Sequence, residues 1–198
     1  MKNLWLGKKI KLRSPRLEDA ENLFLASPPD TEADAFSHHT NLPYVETLEQ
    51  NQKDIKEYLD ANADEKSDDC KLVIETLEGN RPVGIIGIHE SDRRFRNGWL
   101  DVWVTTNERG KGYGGEAVLI LLNYFFNELD YYRIALDVYE MNEGGIYLYR
   151  KLGFTEEGRL RQHIFYRGRR WDEFLMGMLK DEFNTKHFDF VEFLYSDH

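Results

Sequence analysis

The chain reads as one α+β domain of a three-layer, α/β-like kind, and three observations carry that reading. Seven segments with strand character are interspersed with four of helical character. A glycine-rich run, Arg109-Gly110-Lys111-Gly112-Tyr113-Gly114-Gly115-Glu116-Ala117, joins one strand to one helix. A long hairpin closes the regular part of the chain. At 198 residues and 41% hydrophobic, the sequence is long enough for one full core.

Lys9 to Arg13 alternates basic and apolar residues, as a half-buried strand does, and Ser14-Pro15 ends it. Leu17 to Ala26 has helical spacing behind a polar start. Ser27 to Pro43 holds three of the five prolines and reads as a loop. Leu48 to Leu59 is an amphipathic helix, and Asn62 to Asp69 a charged connector. Leu72 to Thr76, the Glu78-Gly79-Asn80 turn and Pro82 to His89 form a hairpin. Arg93 to Asn97 is a basic turn into Trp99 to Val104. Ala117 to Leu129 is apolar around most of a helix and therefore buried against a sheet. Ile134 to Tyr139 is a strand, and Gly144 to Lys151 a helix stopped at Gly153. Phe154 to Tyr166, the Arg167-Gly168-Arg169-Arg170 turn and Trp171 to Leu179 make the closing hairpin. From Lys180 the tail carries too many aromatics for a solvated end, so it packs on the domain or on another subunit.

Composition narrows the function. No stretch of about eighteen apolar residues exists, so no membrane helix is expected. The first residues run from Leu4-Trp5-Leu6 straight into Lys8-Lys9, without the apolar core of a signal peptide. The single cysteine, Cys70, permits no internal disulfide, which fits the cytoplasm. It opens an apolar run and reads as a buried small hydrophobe. The 36 acids against 26 bases give a net charge of −10, which disfavours nonspecific nucleic-acid binding and favours cationic partners. None of the six histidines pairs with other ligands at metal spacing, and His38-His39 reads as solvated, so no metal is expected.

The glycine run admits two readings, a turn that merely starts a helix or an anion site. Glycines at a helix mouth let the backbone approach a ligand, and the free N–H groups and the dipole there suit a phosphate. A Walker loop is excluded, because Lys111 comes too early and no Ser or Thr follows it. A dinucleotide fingerprint is excluded by its place past the middle of the chain and by Asp130, which ends a helix instead of a second strand. A pyrophosphate site of another kind remains.

That order of elements resembles the GCN5-related N-acetyltransferase (GNAT) family. Its first motif, Arg/Gln-x-x-Gly-x-Gly, is met by Arg109, Gly112 and Gly114. Its second, Asn-x-x-Ala-x-x-Leu-Tyr-x-Lys-x-Gly-Phe, is met from Asn142 to Phe154 with only Gly145 in place of Ala. The closing hairpin, with its Arg-Gly-Arg-Arg turn, is similar to the branch acting on ribosomal-protein amino termini and on spermidine. The resemblance covers about Lys8 to Leu179, so residues 1–179 are expected to form the GNAT domain and 180–198 a C-terminal extension.

The resemblance implies a GNAT fold, with a mixed sheet of about seven strands, helices on both faces and a splay between strands 4 and 5. It implies acetyl-CoA as co-substrate, with the arm lying in that splay along Val102 and Val104. The pyrophosphate would lie on the loop of Arg109, Gly110, Lys111, Gly112, Tyr113, Gly114 and Gly115. Lys111 is either near a CoA phosphate or a solvated lysine. Asn142 is either a bond to the arm, a helix cap or both. Tyr149 takes the place of the family's general acid, against the plain alternative that it packs on the sheet. Many relatives in this branch carry a glutamate where this chain has Trp99. Asp101, Glu90 and Asp92 are acids nearby, and none is assigned as the base.

The acceptor is then a primary amine of a small cationic molecule or of a peptide. The acids Asp30, Glu32 and Asp34 lie in a loop that covers the acceptor site in relatives, and Phe36 and Tyr44 beside them either line that site for cation–π contact or pack the loop. The branch favours a peptide amino terminus, with spermidine second, and the acidic loop would also suit an aminoglycoside-like compound. A CoA-binding protein without turnover and a nucleotide-binding regulatory module are the rival classes. The aromatic tail points to a homodimer.

Overall fold

In the computed structural model the described residues are 3–26, 49, 52, 53, 56 and 68–196. The acids Asp30, Glu32 and Asp34, the pair His38-His39, and Phe36 and Tyr44 lie outside them. So do most of the helix expected over Leu48–Leu59 and most of the connector before Asp69. Glu49, Gln52, Lys53 and Lys56 are helical.

Strand β1 (Ile10–Arg13) buries Ile10 and Leu12, the period of two its sequence shows. Its outward side is also used. Arg13 Nη1 and Nη2 each donate to the buried Asp19 carboxylate at 2.7 Å, which ties helix α1 (Leu17–Ala26) to the sheet. Strands β2 (Cys70–Thr76), β3 (Pro82–Asp92) and β4 (Asn97–Val104) follow as an antiparallel meander.

Helix α2 (Tyr113–Asn123) continues into one π-helical turn, Tyr124–Glu128. Strand β5 (Arg133–Tyr139), helix α3 (Glu143–Leu152), and strands β6 (Thr155–Tyr166) and β7 (Arg169–Leu179) complete the expected order. The described residues form a seven-stranded mixed sheet in the order β1-β2-β3-β4-β5-β7-β6, and only β4 and β5 are parallel. The helical crossover between them permits that pairing.

Among the differences from the sequence reading, three stand out. Helix α2 begins at Tyr113, four residues before Ala117, so Gly114 and Gly115 are helical. Their poor propensity is outweighed by packing. A Cβ at Gly114 would lie 3.3 Å from Val104 Cγ2, and one at Gly115 would lie 3.2 Å from Leu148 Cδ1. The π turn has no sequence signature. The closing hairpin turns on Arg167 and Gly168 alone, both at positive φ (49° and 76°), and Arg169 already belongs to β7.

The tail folds as α4 (Lys180–Lys186) and α5 (Phe188–Tyr195) and contributes to the core. Phe183 is fully buried with its ring 5.4 Å from that of Phe126, and Leu194 is buried as well. Phe183→Ala should therefore cost about 3–5 kcal/mol, read as a lower denaturant midpoint. A loss below about 1 kcal/mol would make the tail an ornament on the domain. Cys70 is partly exposed, and burial pushes its thiol up to about 11, so it stays protonated and unreactive. Among the described residues no helix is long and apolar enough to cross a membrane.

Candidate active site

The β4–β5 ladder consists of three pairs, Asn97↔Arg133, Gly98↔Ile134 and Trp99↔Ala135. Beyond Trp99 strand β4 runs on to Val104 without pairing to β5. The Thr105 N–H donates to the Val83 carbonyl at 2.9 Å, so residues in step with Thr105 bond toward β3. Alternation then turns the backbone groups of Val102 and Val104 the other way, into the opening. The Val104 carbonyl accepts from Arg109 Nε at 2.9 Å, which fastens the glycine loop to the strand end.

That loop leads into the N-terminus of α2. Gly112 is the cap, at φ 90°, a conformation that penalises any side chain. The first helical bond is from Glu116 N–H to the Gly112 carbonyl, at 3.1 Å. The N–H groups of Tyr113, Gly114 and Gly115 therefore precede any intrahelical partner. A Cβ at Gly110 would meet nothing within 4 Å, and one at Gly112 only Lys9 Nζ, at 3.5 Å. An open cradle with free donors at the positive end of a helix dipole fits a pyrophosphate. A cleft of about 450 Å³ beside it is lined by Lys8, Lys9, Lys111 and Tyr113, facing Thr76 and Glu78. The Lys111 ammonium is 2.8 Å from Glu108, which also pairs with Arg81 at 3.0 Å. Lys111 is thus an ion-paired side chain at the rim of the cleft.

Helix α3 meets α2 where Leu148 packs over Gly115. Asn142 caps α3, its Oδ1 accepting from the Gly145 N–H at 2.9 Å, so the capping alternative is realised. Tyr149 is only 8% exposed, with its ring 5.8 Å from Phe154. Burial, then the charges of Asp101 and Asp137, push its phenol well above the ordinary tyrosine value. No described residue hydrogen-bonds its hydroxyl. A phenol so placed stays protonated through the neutral range and has a proton to give.

Asp101 lies between Trp99 and Trp103 on one face of β4, opposite Gly87. Asp137 lies two residues beyond Ala135, hence on the same face of β5 across the opening. Sequence alone does not single out Asp137, because only the Trp99↔Ala135 register brings it opposite Asp101. Asp92 serves its own turn, where its Oδ1 accepts from the N–H groups of Arg94 and Phe95 at 2.8 Å and closes the entry into β4. Glu90 is exposed near the end of β3, at φ 49°. Among the described residues no group of three or more His, Cys, Asp or Glu side chains converges as a metal site.

The family model for the acetyltransferase (GNAT) domain matches residues 9–155. The chain belongs to the GNAT acetyltransferase family. GNAT enzymes move an acetyl group from acetyl-CoA to an amine, and this chain is an enzyme of that class. It is 25% identical to the spermidine N(1)-acetyltransferase of Escherichia coli (strain K12) over 178 residues, 90% of each chain. It is 39% identical to the uncharacterized N-acetyltransferase YokL of the Bacillus subtilis SPbeta prophage over 110 residues, 54% of this chain and 61% of that one. The fold matches that of spermidine N-acetyltransferase from Vibrio cholerae, solved in complex with CoA and spermine. That match has a TM-score of 0.74 at 22% identity and covers 89% of this chain and 99% of the other. The opening beyond Trp99, where the parallel β4–β5 pairing ends, is the splay of this GNAT sheet.

Proposed function

We propose that the enzyme acetylates a primary amine of a small polycation, a polyamine before a basic peptide terminus. The observation that carries this reading is the placement of Asp101 and Asp137 on one face of the sheet, on either side of the β4–β5 opening, with both charges raising the phenol of the buried Tyr149. Two carboxylates beside the general acid favour a cationic acceptor and give the ammonium proton a route away, so that the neutral amine attacks. The kinship with a spermidine acetyltransferase along 90% of both chains supports the same acceptor class.

Acetyl-CoA supplies the acetyl group as an activated thioester. In this reading the N–H groups of residues 110–115 hold the pyrophosphate, and the outward backbone of Val102 and Val104 lines up the arm. Arg109 fixes the loop to the strand, with Lys111 and Tyr113 at the cleft. Asn142 sets the start of α3 and thereby the position of Tyr149. The protonated Tyr149 donates to the departing thiolate.

The test is a parallel acceptor screen that follows free CoA release with polyamines, basic peptides, aminoglycosides and neutral amines. Polyamines should be best, and their KM should rise with salt. Neutral amines performing equally, with no salt dependence, would overturn the acceptor assignment. Asp101→Asn should raise the polyamine KM by about tenfold or more and leave the KM for acetyl-CoA unchanged.

Cytoplasmic location belongs to the same proposal, supported by the single cysteine and its protonated thiol. So does a homodimer, supported by exposed aromatic side chains on α5 and β6. Most aromatics of the tail are packed within the chain, while Phe188 on α5 and Phe165 on β6 are exposed. Light scattering that shows a monomer removes the homodimer.

A further inference from the structure

The segment ahead of β1 grips the glycine loop from outside. Gly7 and Ile10 close a tight turn, the Gly7 N–H donating to the Ile10 carbonyl at 2.9 Å. Within that turn the N–H groups of Lys8 and Lys9 both donate to Oε1 of Glu116, the second at 3.2 Å. A Cβ on residue 7 would overlap the Glu116 carboxylate, so only glycine leaves room for it. Lys9 also reaches the other end of the loop, where its Nζ donates to the Lys111 carbonyl at 3.1 Å. The loop is therefore held on both sides of its Gly112 cap by residues more than 100 positions away in sequence.

Glu116 is otherwise an awkward residue for this place. A carboxylate in the first turn suits the helix dipole, but in a helix that receives a pyrophosphate it adds a like charge beside the anion. Engaging its oxygen with two N–H groups offsets part of that charge and turns it to a positional use.

We propose that Glu116 is a positioning residue for acetyl-CoA: with Gly7 and Lys9 it fixes the backbone of residues 110–115 in the geometry that receives the pyrophosphate, without touching the ligand. This rests on the reading that the glycine loop holds the pyrophosphate. Losing the clasp lets the donors drift, which weakens binding of ground state and transition state alike. The signature is a raised KM for acetyl-CoA with kcat retained.

The experiment is steady-state kinetics of the full chain with acetyl-CoA and the best amine from the screen. Glu116→Ala should raise the KM for acetyl-CoA about tenfold, with kcat and the amine KM within about twofold of the parent. Glu116→Gln should restore most of the loss, because the amide oxygen accepts the same two N–H bonds. Gly7→Ala, which expels the carboxylate from the opposite side, should reproduce the Glu116→Ala shift. It decides the matter if Glu116→Ala does not fold. An unchanged KM in the folded variants, a fall in kcat instead, or Glu116→Gln as impaired as Glu116→Ala overturns the proposal. Gly112→Val separates this failure from a deeper one. If it binds acetyl-CoA like the parent, the reading of the loop falls. If it loses binding while Glu116→Ala is neutral, only the clasp falls.

Discussion

Gly112→Val should abolish acetyl-CoA binding, with no saturable interaction up to about millimolar ligand where the parent binds on the order of 1 μM to 1 mM. Two effects act together. Residue 112 sits at φ 90°, where a β-branched side chain is strongly disfavoured, so the cap moves. A Cβ there would also project into a cradle whose nearest atom is Lys9 Nζ at 3.5 Å, the open space assigned to the ligand. A thermal-shift titration is the check, because acetyl-CoA raises the transition of the parent and not of the variant. The variant should still fold, since the core behind α2 is built from Ala117, Val118, Ile120, Leu121 and Leu122, all buried beyond the loop. A shift equal to the parent's would leave the glycine run as a turn.

Tyr149→Phe should lower kcat by about 10²-fold or more, the range for a positioned general acid, with acetyl-CoA affinity little changed. The phenylalanine keeps the ring packed against Phe154 and removes only the hydroxyl, so stability should hold. The pH dependence follows from the direction of the shift. Burial and the charges of Asp101 and Asp137 raise the phenol above its ordinary value, so the acid form persists through and beyond the pH at which a free tyrosine ionises. The parent rate should therefore rise as the acceptor amine loses its proton and show no alkaline fall from Tyr149 near pH 10. An unchanged rate in Tyr149→Phe at every pH would make the residue a packing element.

Much of the fold was legible in the sequence because its signals are local. The period of two in β1, the glycine run before α2 and the stop at Gly153, which adopts φ 104°, each follow from neighbouring residues alone. What the sequence hid depends on contacts between distant segments. Gly114 and Gly115 read as loop because glycine is a poor helix former, yet Val104 and Leu148 press on them from β4 and α3. The π turn at Tyr124–Glu128 follows from no local pattern in the sequence.

The site divides in the same way. Tyr149 and the glycines stand within motifs. Asp137 becomes visible only through the register of β5 on β4, and Glu116 only through its bonds to Lys8 and Lys9. The mixed sheet could be expected from the order of elements, whereas the residue at which β4 and β5 part, Trp99, shows only in their register.

Calorimetric titration of the full chain with acetyl-CoA measures most directly whether the glycine loop and the splay form an acetyl-CoA site. One site per chain should appear, with saturable heat in the micromolar-to-millimolar range and displacement by free CoA but not by ATP. No heat up to millimolar acetyl-CoA, or ATP displacing it as well as CoA does, would contradict that assignment.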